Sequence, residues 1–565
     1  MAADRRTRRI SRRDFIRVAA LASGASVLAA CSQSAPPAPV PTAPPSSGTK
    51  PAAAPTTAAP APAATSAAPA PAASGGVKGG TLRAAIIGEP PSLDPQWTTA
   101  TVTANISWHY VEALFTLDAD FKAIPMLAES LETSSDGLTR TVKLRKGVLF
   151  HNGKEMTAED VDASLKRWAQ ISGLGKNLFA KVDTVSSPDK YTMVFKMKSP
   201  YAIFDAVLGY RSGGAAIMPK EVVEQATEKN QVTNPIGTGP YRFVEQLKDR
   251  YTRVVRWEKY QSNGDTPSGP GGKKNAYFDE IRFIPVPDQN VRIAGIQSGD
   301  YDYAEGINTD QYSLLKDNKQ VTTLLSPPSK TPLHYFNNKS AIMSDQKLRQ
   351  AILAAIDPEA ALKAAWATTD FYRLSPSLML KETPWYTEAG KEFYNQKNPD
   401  KARQLLKESK YNGETIRYMT TREYPTMYQE SVVLNQQMQA IGLKTDLQVI
   451  DWATLVSRRS KPEEWEIFST WHGFVQDPSM MDWNNTTYPG WWTNEKVDAL
   501  RDKLLTTLDQ KGRLDVLSQE QQLFWSEDVP LLKLGDVRDL YLTSPKLKDV
   551  GLLPYTMFWN AYLTK

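Results

Sequence analysis

The residue types that catalyse reactions are thinly spread in this chain. Its four histidines, His109, His151, His334 and His472, form no H-x-x-x-H or H-x-x-E-H pair. The side chains that most often grip a catalytic metal are therefore never two on one helical face. The single cysteine, Cys31, leaves no disulfide within one molecule and no thiol nucleophile after residue 31. There is no G-x-S-x-G, no Walker loop and no G-x-G-x-x-G following a strand. "NPIGTGPYRF" (Asn234 to Phe243) lacks the Lys-Ser/Thr that holds phosphate, and its glycines read as a tight turn. An enzyme would have to draw on dispersed residues, and no catalytic residue, metal site or cofactor is assigned.

Residues suited to binding do concentrate. Six aromatics fall within the 22 residues "WHGFVQDPSMMDWNNTTYPGWW", from Trp471 to Trp492. So many rings beside a loop suit a flat, stacking ligand surface, although some must serve the core. The candidate ligand contacts are Trp97, Arg422, Trp471, His472 and Phe474. Arg422 opens a loop where a guanidinium could meet an anionic group. His472 has a ligand role set against an ordinary packing role, and Trp97 against that of a buried aromatic. Asp477, directly before Pro478, reads as a turn or helix-capping carboxylate. His151 belongs to the block "FHNGKEMTAEDV", which looks structural.

The elements that must carry these residues are legible around them. "TLRAAII" is a short strand ending at Gly88, and "TRTVKLRKGVLF" alternates Val142 and Leu144 with charge, a half-exposed strand. "NPDKARQLLKES" opens on a capping Asn398-Pro399-Asp400 and sets Ala402, Leu405 and Leu406 on one helical face. "TIRYMTT" reads as a strand. "MYQESVVLNQQMQAIG" is a helix with Val432, Met438 and Ile441 inward and Gly442 as its stop. "LKTDLQVI" is a strand, "WATLVSRR" begins a short helix, and "WEIFSTW" is a third strand. This alternation predicts parallel strands with right-handed crossovers. Ligands of such sheets sit beyond the carboxyl ends of the strands. The loops leaving those ends, "REYP" (Arg422 to Pro425) and "HGFVQDP" (His472 to Pro478), are expected to line one crevice.

The first 79 residues differ in kind. Residues 1–30 hold seven arginines against Asp4 and Asp14, a net of +5, and the whole chain is also +5. The remainder therefore sums to zero (5 − 5), so the basic balance gives no support to a nucleic-acid surface on the body. Val18 to Ala30 is apolar but too short to span a bilayer and fits an export signal. "SRRDFIR", with Arg12 and Arg13, resembles the twin-arginine export consensus. "LAAC" resembles a lipobox, whose cysteine, here Cys31, would take a diacylglycerol; stable anchoring needs two or more acyl chains. Ser32 to Gly79 carries Lys50 and Lys78 as its only charges and 12 of the 39 prolines. It reads as a disordered Ala/Pro-rich tether that would reach roughly 150 Å if extended. The expected organisation is 1–31 signal with lipobox, 32–79 tether, and a body of 486 residues, Gly80 to Lys565. No later run is long and apolar enough to span a membrane.

The body resembles the solute-binding proteins of ABC importers, family 5, the peptide/nickel-binding class with its dipeptide- and oligopeptide-binding group. The resemblance runs from about Gly80 to the C-terminus. It is carried by "GGTLRAAIIGEPPSLDP", "LAESLETSSDGLTRTVKLRKGVLFHNGKEMTAEDV", "NPIGTGPYRF", "FDEIRFIPVPDQNVRIAGIQSGDYDYAE", "KLRQAILAAIDPEAAL", "DPSMM" and "EKVDALRDKLL", in that order. It implies an α/β fold of the periplasmic-binding-protein type (class II, large cluster with an extra lobe), with two gripping lobes joined by a hinge. The lobes would be 80–118, 236–325 and 530–565 for the first, 119–235 for the extra lobe and 326–529 for the second. It further implies a non-enzymatic, extracytoplasmic monomer held to a membrane by its lipid, with permease and ATPase on separate chains. The ligand would be a peptide by family default. The alternatives are a sugar, an opine-like conjugate or a chelated metal on the same fold, or an exported hydrolase.

One departure from the family pattern bears on the ligand. Peptide binders of this family tend to read W-x-x-D followed two residues later by D/E-P, and the first Asp pairs with the peptide ammonium. Aligning Trp471 and Asp477-Pro478 on that pattern places Phe474 where the Asp would stand. Leaving a buried charge unpaired costs about 2–5 kcal/mol. Small peptides with free N-termini are therefore expected to bind poorly, and a ligand with an apolar or ring face is expected to bind better.

Overall fold

The computed structural model describes residues 76–226 and 230–564. The expectations for Arg12, Arg13, Cys31 and nearly all of the tether lie outside the described residues. Three principal sheets organise the remainder. The first is a seven-stranded mixed sheet in the order 322–325, 540–543, 303–307, 81–86, 280–285, 251–256, 241–247. Its centre is parallel, with Thr81–Ile86 in register with Glu280–Pro285 on one side and Tyr303–Ile307 on the other. The second, also seven-stranded, contains Lys330–Phe336, Ile467–Gly473, Ile416–Thr420 and Thr445–Val449 in neighbouring positions. A four-stranded antiparallel sheet, within residues 128–197, belongs to the extra lobe and packs on helix Ala158–Ile171.

The strand–helix alternation after residue 398 folds as its periodicity predicts. Asn398 caps helix Pro399–Glu408 by accepting from the Lys401 N–H, and Ala402 is buried beneath it. Ile416–Thr420 pairs in parallel with both Thr445–Val449 and Ile467–Gly473. One inward position differs: on helix Pro425–Ala440, Val432 is half-buried, and Leu434 joins Met438 in the core. The glycines of "NPIGTGPYRF" also differ from their reading as a turn, since neither Gly237 nor Gly239 has a positive φ. A Cβ at Gly237 would lie 2.0 Å from the Tyr110 carbonyl oxygen, and one at Gly239 2.6 Å from that of His109. Their function is close backbone approach to residues 109–111.

Two stretches fall elsewhere than the expected lobe boundaries. Ala216, Met218, Val223, Ala226 and Val232 pack in the core of the first sheet, ahead of residue 236. Leu531–Lys533 and Asp536–Val537 are bonded into the second sheet, although 530 was expected to begin the return to the first. The reason is backbone satisfaction: strand Lys330–Phe336 meets Ile467–Gly473 on one side only, and its other buried edge needs partners.

The chain crosses between the two large sheets at 326–329 and again at 538–539. These crossings are clasped together. Ser326 N–H donates to the Asp539 carbonyl at 3.0 Å, and Asp539 N–H returns a bond to Ser326 Oγ at 3.0 Å. The Asp539 carboxylate accepts from Ser329 Oγ at 3.2 Å and Lys330 Nζ at 2.6 Å.

A buried polar network braces the helix that follows the "REYP" loop. Glu430 accepts from Trp366 Nε1 at 2.7 Å, and the Tyr418 hydroxyl meets His334 Nδ1 at 2.6 Å. His334 Nε2 lies 3.8 Å from Glu430, yet this is a neutral pair. Burial pushes the Glu430 carboxyl up to about 8 and the His334 imidazole down to about 3. By itself the raised Glu430 pKa makes stability fall as pH rises from 4.5 through about 8, whereas the lowered His334 pKa makes it rise from about 3 to 6.5. The two offset one another below 6.5, and the Glu430 loss is unopposed from there to about 8. Glu430→Gln, which keeps an acceptor for Trp366, is expected to raise the melting temperature above wild type at pH 8.5 and to change it little at pH 4. Thermal unfolding of both proteins at the two pH values measures this.

Candidate ligand-binding cleft

The "REYP" loop meets the end of the strand that leads into "HGFVQDP". Tyr424 of "REYP" contacts Trp471 edge to face at 6.1 Å between ring centroids, and Trp452 at 5.2 Å. Trp471 is half-buried, with Lys330 Nζ, from the clasp, 4.8 Å from its ring centre. Trp471 and His472 diverge because neighbouring strand residues point to opposite faces. His472 is buried among Tyr335, Trp483 and Tyr488, and its Nε2 lies 3.2 Å from Asp482 and 3.1 Å from the Tyr488 hydroxyl. Burial lowers its pKa, so it is neutral at pH 7, and its Nδ1 has no partner among the described residues.

Phe474 is spent on another contact. Its ring lies 4.9 Å from that of Phe121, so it joins the second lobe to the hairpin preceding the extra lobe's sheet. Beside it, Gln476 Nε2 donates to the Ala206 carbonyl, and Ala202 N–H donates to the Leu505 carbonyl at 2.7 Å. Arg422 is exposed and stacks on Tyr428, with Nη2 3.0 Å from its hydroxyl. Trp97 is 38% exposed. The loop before it is fastened by buried Asp94 and Gln96, which accept from Arg167 Nη2 at 2.6 Å and Nη1 at 2.8 Å. The arrangement therefore brings Trp471 beside the "REYP" loop, while Trp97 stands on the other lobe and His472 and Phe474 are engaged by protein.

Asp477 is the capping carboxylate that its place before Pro478 indicates. It accepts from the Ser479 N–H at 2.9 Å and forms a bidentate pair with Arg513, both bonds 2.7 Å. Both side chains are almost wholly buried, at 3% and 5% exposure. His151, set aside as structural, bonds the Gly239 carbonyl through Nε2 at 3.0 Å.

Other residues of this region carry no sequence signal of their own. On the first-lobe side, Tyr210, Arg211, Tyr555 and Trp559 cluster with Trp108. Burial, with the carboxylate of Asp482 from the second lobe, raises the Tyr210 pKa. The only pointers in the sequence are the paired glycines of "YRSGG" and the rings of "YTMFWN", each too short to assign.

The match to a family model decides what this cleft is. The model for bacterial extracellular solute-binding proteins, family 5, covers residues 122–494. The chain belongs to this family. The "Probable peptide ABC transporter periplasmic-binding protein y4tO" of Sinorhizobium fredii is 28% identical over 496 residues, spanning 83% of this chain and 91% of its own length. The glutathione-binding protein GsiB of Pectobacterium atrosepticum is 28% identical over 491 residues, with 83% and 90% covered. The fold is that of the oligopeptide-binding protein AppA from Bacillus subtilis, in complex with a nonapeptide (TM-score 0.69, 22% identity, 87% of this chain and all of the other). It is equally that of AgaA from A. tumefaciens R10, in complex with agropinic acid (TM-score 0.70, 22% identity, 86% and 99% covered). This family-5 chain is a ligand-capturing binding protein of the ABC-importer type.

Asp477→Ala is expected to cost about 3–5 kcal/mol of stability by stranding the Arg513 guanidinium. Its ligand affinity, corrected for the folded fraction, is expected to stay within about twofold, because Asp477 faces Arg513. Chemical denaturation with parallel calorimetry measures both. A large loss of affinity without loss of stability would make Asp477 a ligand residue.

Proposed function

We propose that the chain captures a peptide-like ligand lacking a free ammonium group and delivers it to an ABC permease with its ATPase on separate chains. One observation carries the choice of ligand: the buried carboxylate beside the aromatic loop is not free. Asp477 is consumed by Arg513, while Phe474 stands where the family's ammonium-pairing Asp is expected. An ammonium brought against Phe474 would be desolvated without a counter-charge at that position. Peptide relatives and GsiB favour a peptide-like compound, and AgaA with agropinic acid makes an opine-like conjugate the second reading. In this reading Trp97, Trp471 and Arg422 meet ligand, and His472 and Phe474 support the walls. The protein binds and releases without altering the ligand. It works outside the cytoplasmic membrane, as a monomer tethered through residues 32–79 to lipid on Cys31; among the described residues no helix is long and apolar enough to cross a membrane.

Calorimetry with one peptide sequence in unblocked and N-acetylated forms tests the ligand assignment. The acetylated form is expected to bind at least tenfold more tightly; tight binding of the unblocked form alone would return the protein to ordinary peptide binders. Cys31→Ala is expected to release the protein from membranes, and Arg12→Lys with Arg13→Lys to retain it in the cytoplasm. Sedimentation of Cys31→Ala with membranes in high salt would contradict the anchor.

A further inference from the structure

Arg211 is the buried cation of the cleft that the fold leaves unpaired. The residue is 5% exposed, and its Nη1 is buried with no hydrogen-bond partner among the described residues. None of the ion pairs among those residues includes it. Instead the guanidinium carbon sits 5.4 Å from the Trp108 ring centre, 5.2 Å from Trp559 and 6.0 Å from Tyr555. Aromatic faces suit a guanidinium plane but leave its in-plane N–H groups unanswered.

The nearby carboxylate is already occupied. Glu112 accepts from Lys274 Nζ at 2.8 Å, the Tyr260 hydroxyl at 2.9 Å and Thr238 Oγ1 at 3.0 Å. Lys274 Nζ also lies 4.9 Å over the far ring of this group, Trp559. Two cations and one carboxylate therefore share a buried region, with one positive charge in excess. The pKa values reflect the imbalance. Burial, with Glu112 and Tyr555 as weaker opposing influences, pushes Arg211 down to about 10, and burial together with Arg211 and Lys274 pushes His109 down to about 3. An excess buried charge is costly unless a partner arrives.

The local chain is shaped to hold Arg211 there. Trp108 Nε1 donates to the Arg211 carbonyl at 3.0 Å. A Cβ at Gly214 would fall 2.1 Å from the Tyr210 carbonyl oxygen, so the turn closes only with glycine. Ser212 Oγ donates to the Thr99 carbonyl at 3.0 Å, which ties this turn to the loop bearing Trp97. Tyr210, next to Arg211 in the chain, feels the carboxylate of Asp482 from the second lobe. The turn that carries Arg211 is thus tied to the Trp97 loop through Ser212 and packs on Trp108, Tyr555 and Trp559.

We propose that Arg211 receives a carboxylate of the ligand, accepted in the plane of the guanidinium between Trp108 and Trp559. The inference rests on the ligand-capture reading above and names the ligand as an anion. It agrees with the pairing of Asp477 by Arg513 on the opposite wall, since a buried cation without a partner selects for negative charge.

Native mass spectrometry with an equimolar pool of N-acetylated pentapeptides, as free acids and as carboxamides, tests it. A second carboxamide pool contains one Glu per peptide and separates a terminal from a side-chain carboxylate. Wild type is expected to retain carboxylate-bearing peptides by about tenfold to a hundredfold over neutral carboxamides. In Arg211→Gln that preference is expected to collapse, while Arg211→Lys keeps part of it. The ligand-free melting temperature of Arg211→Gln is expected to equal or exceed that of wild type, because an unpaired buried charge has been removed. Equal retention of acids and carboxamides by wild type would overturn the role of Arg211 and leave the peptide-like reading standing. So would a preference that survives in Arg211→Gln, or a large fall in its ligand-free melting temperature, which would mark Arg211 as a structural strut. Retention of no pool by wild type would overturn the peptide-like reading, and this inference with it.

Discussion

Asp539 is the fulcrum of the molecule. Both chain crossings between the large sheets pass through its hydrogen bonds, from Ser326 and Ser329 on one crossing and through its own backbone on the other. Two crossings clasped side by side let the lobes swing about a common axis while resisting independent twist, because twist would break bonds in the clasp. The same carboxylate holds Lys330, and Lys330 lies over Trp471. The pivot and the strand end bearing Trp471 are thus one electrostatic unit. In a two-state binder, affinity is the extent to which ligand favours the closed arrangement over the open one. Residues that set the pivot therefore contribute to affinity without touching ligand.

Around that pivot the charges are divided unevenly. On the second-lobe wall, Asp477 is neutralised by Arg513, while Asp482 stands half-exposed beside the neutral His472. On the first-lobe wall, Glu112 is satisfied by Lys274, Tyr260 and Thr238, and Arg211 remains. Buried pairs contribute little net stability but cost much when broken. The paired acids consequently act as rigid walls, and the unpaired arginine as the group able to respond to a ligand. The aromatic rings exclude water, which strengthens whatever charge contact forms.

Legibility in the sequence followed the range of the interactions. Asn398 as a cap, Gly442 as a helix stop and the parallel order of the three strands after residue 415 were readable because each depends on neighbours within a turn or a pleat. The "REYP" and "HGFVQDP" loops could be placed together because topology alone puts them at one sheet edge. The inward place expected for Val432 falls two residues on, since the packing of neighbours chose Leu434 instead. The lobe boundaries expected at 236 and 530 differ from the packing because strand edges and core faces recruited distant segments.

The sequence by itself determined the class of molecule, through the strand–helix alternation and the family blocks in order. Tertiary structure alone decided which charges are free. In one dimension Phe474 reads as a ligand contact and Asp477 as a capping carboxylate, yet Phe474 packs on Phe121 and Asp477 is also held by Arg513, 36 residues away. Arg211 has no motif, and its significance arises only because Trp108, Tyr555 and Trp559 surround it while Glu112 is taken by Lys274. Hydrogen-bond and charge satisfaction is a property of neighbours in space, and for these residues nearly every deciding neighbour is remote in the chain.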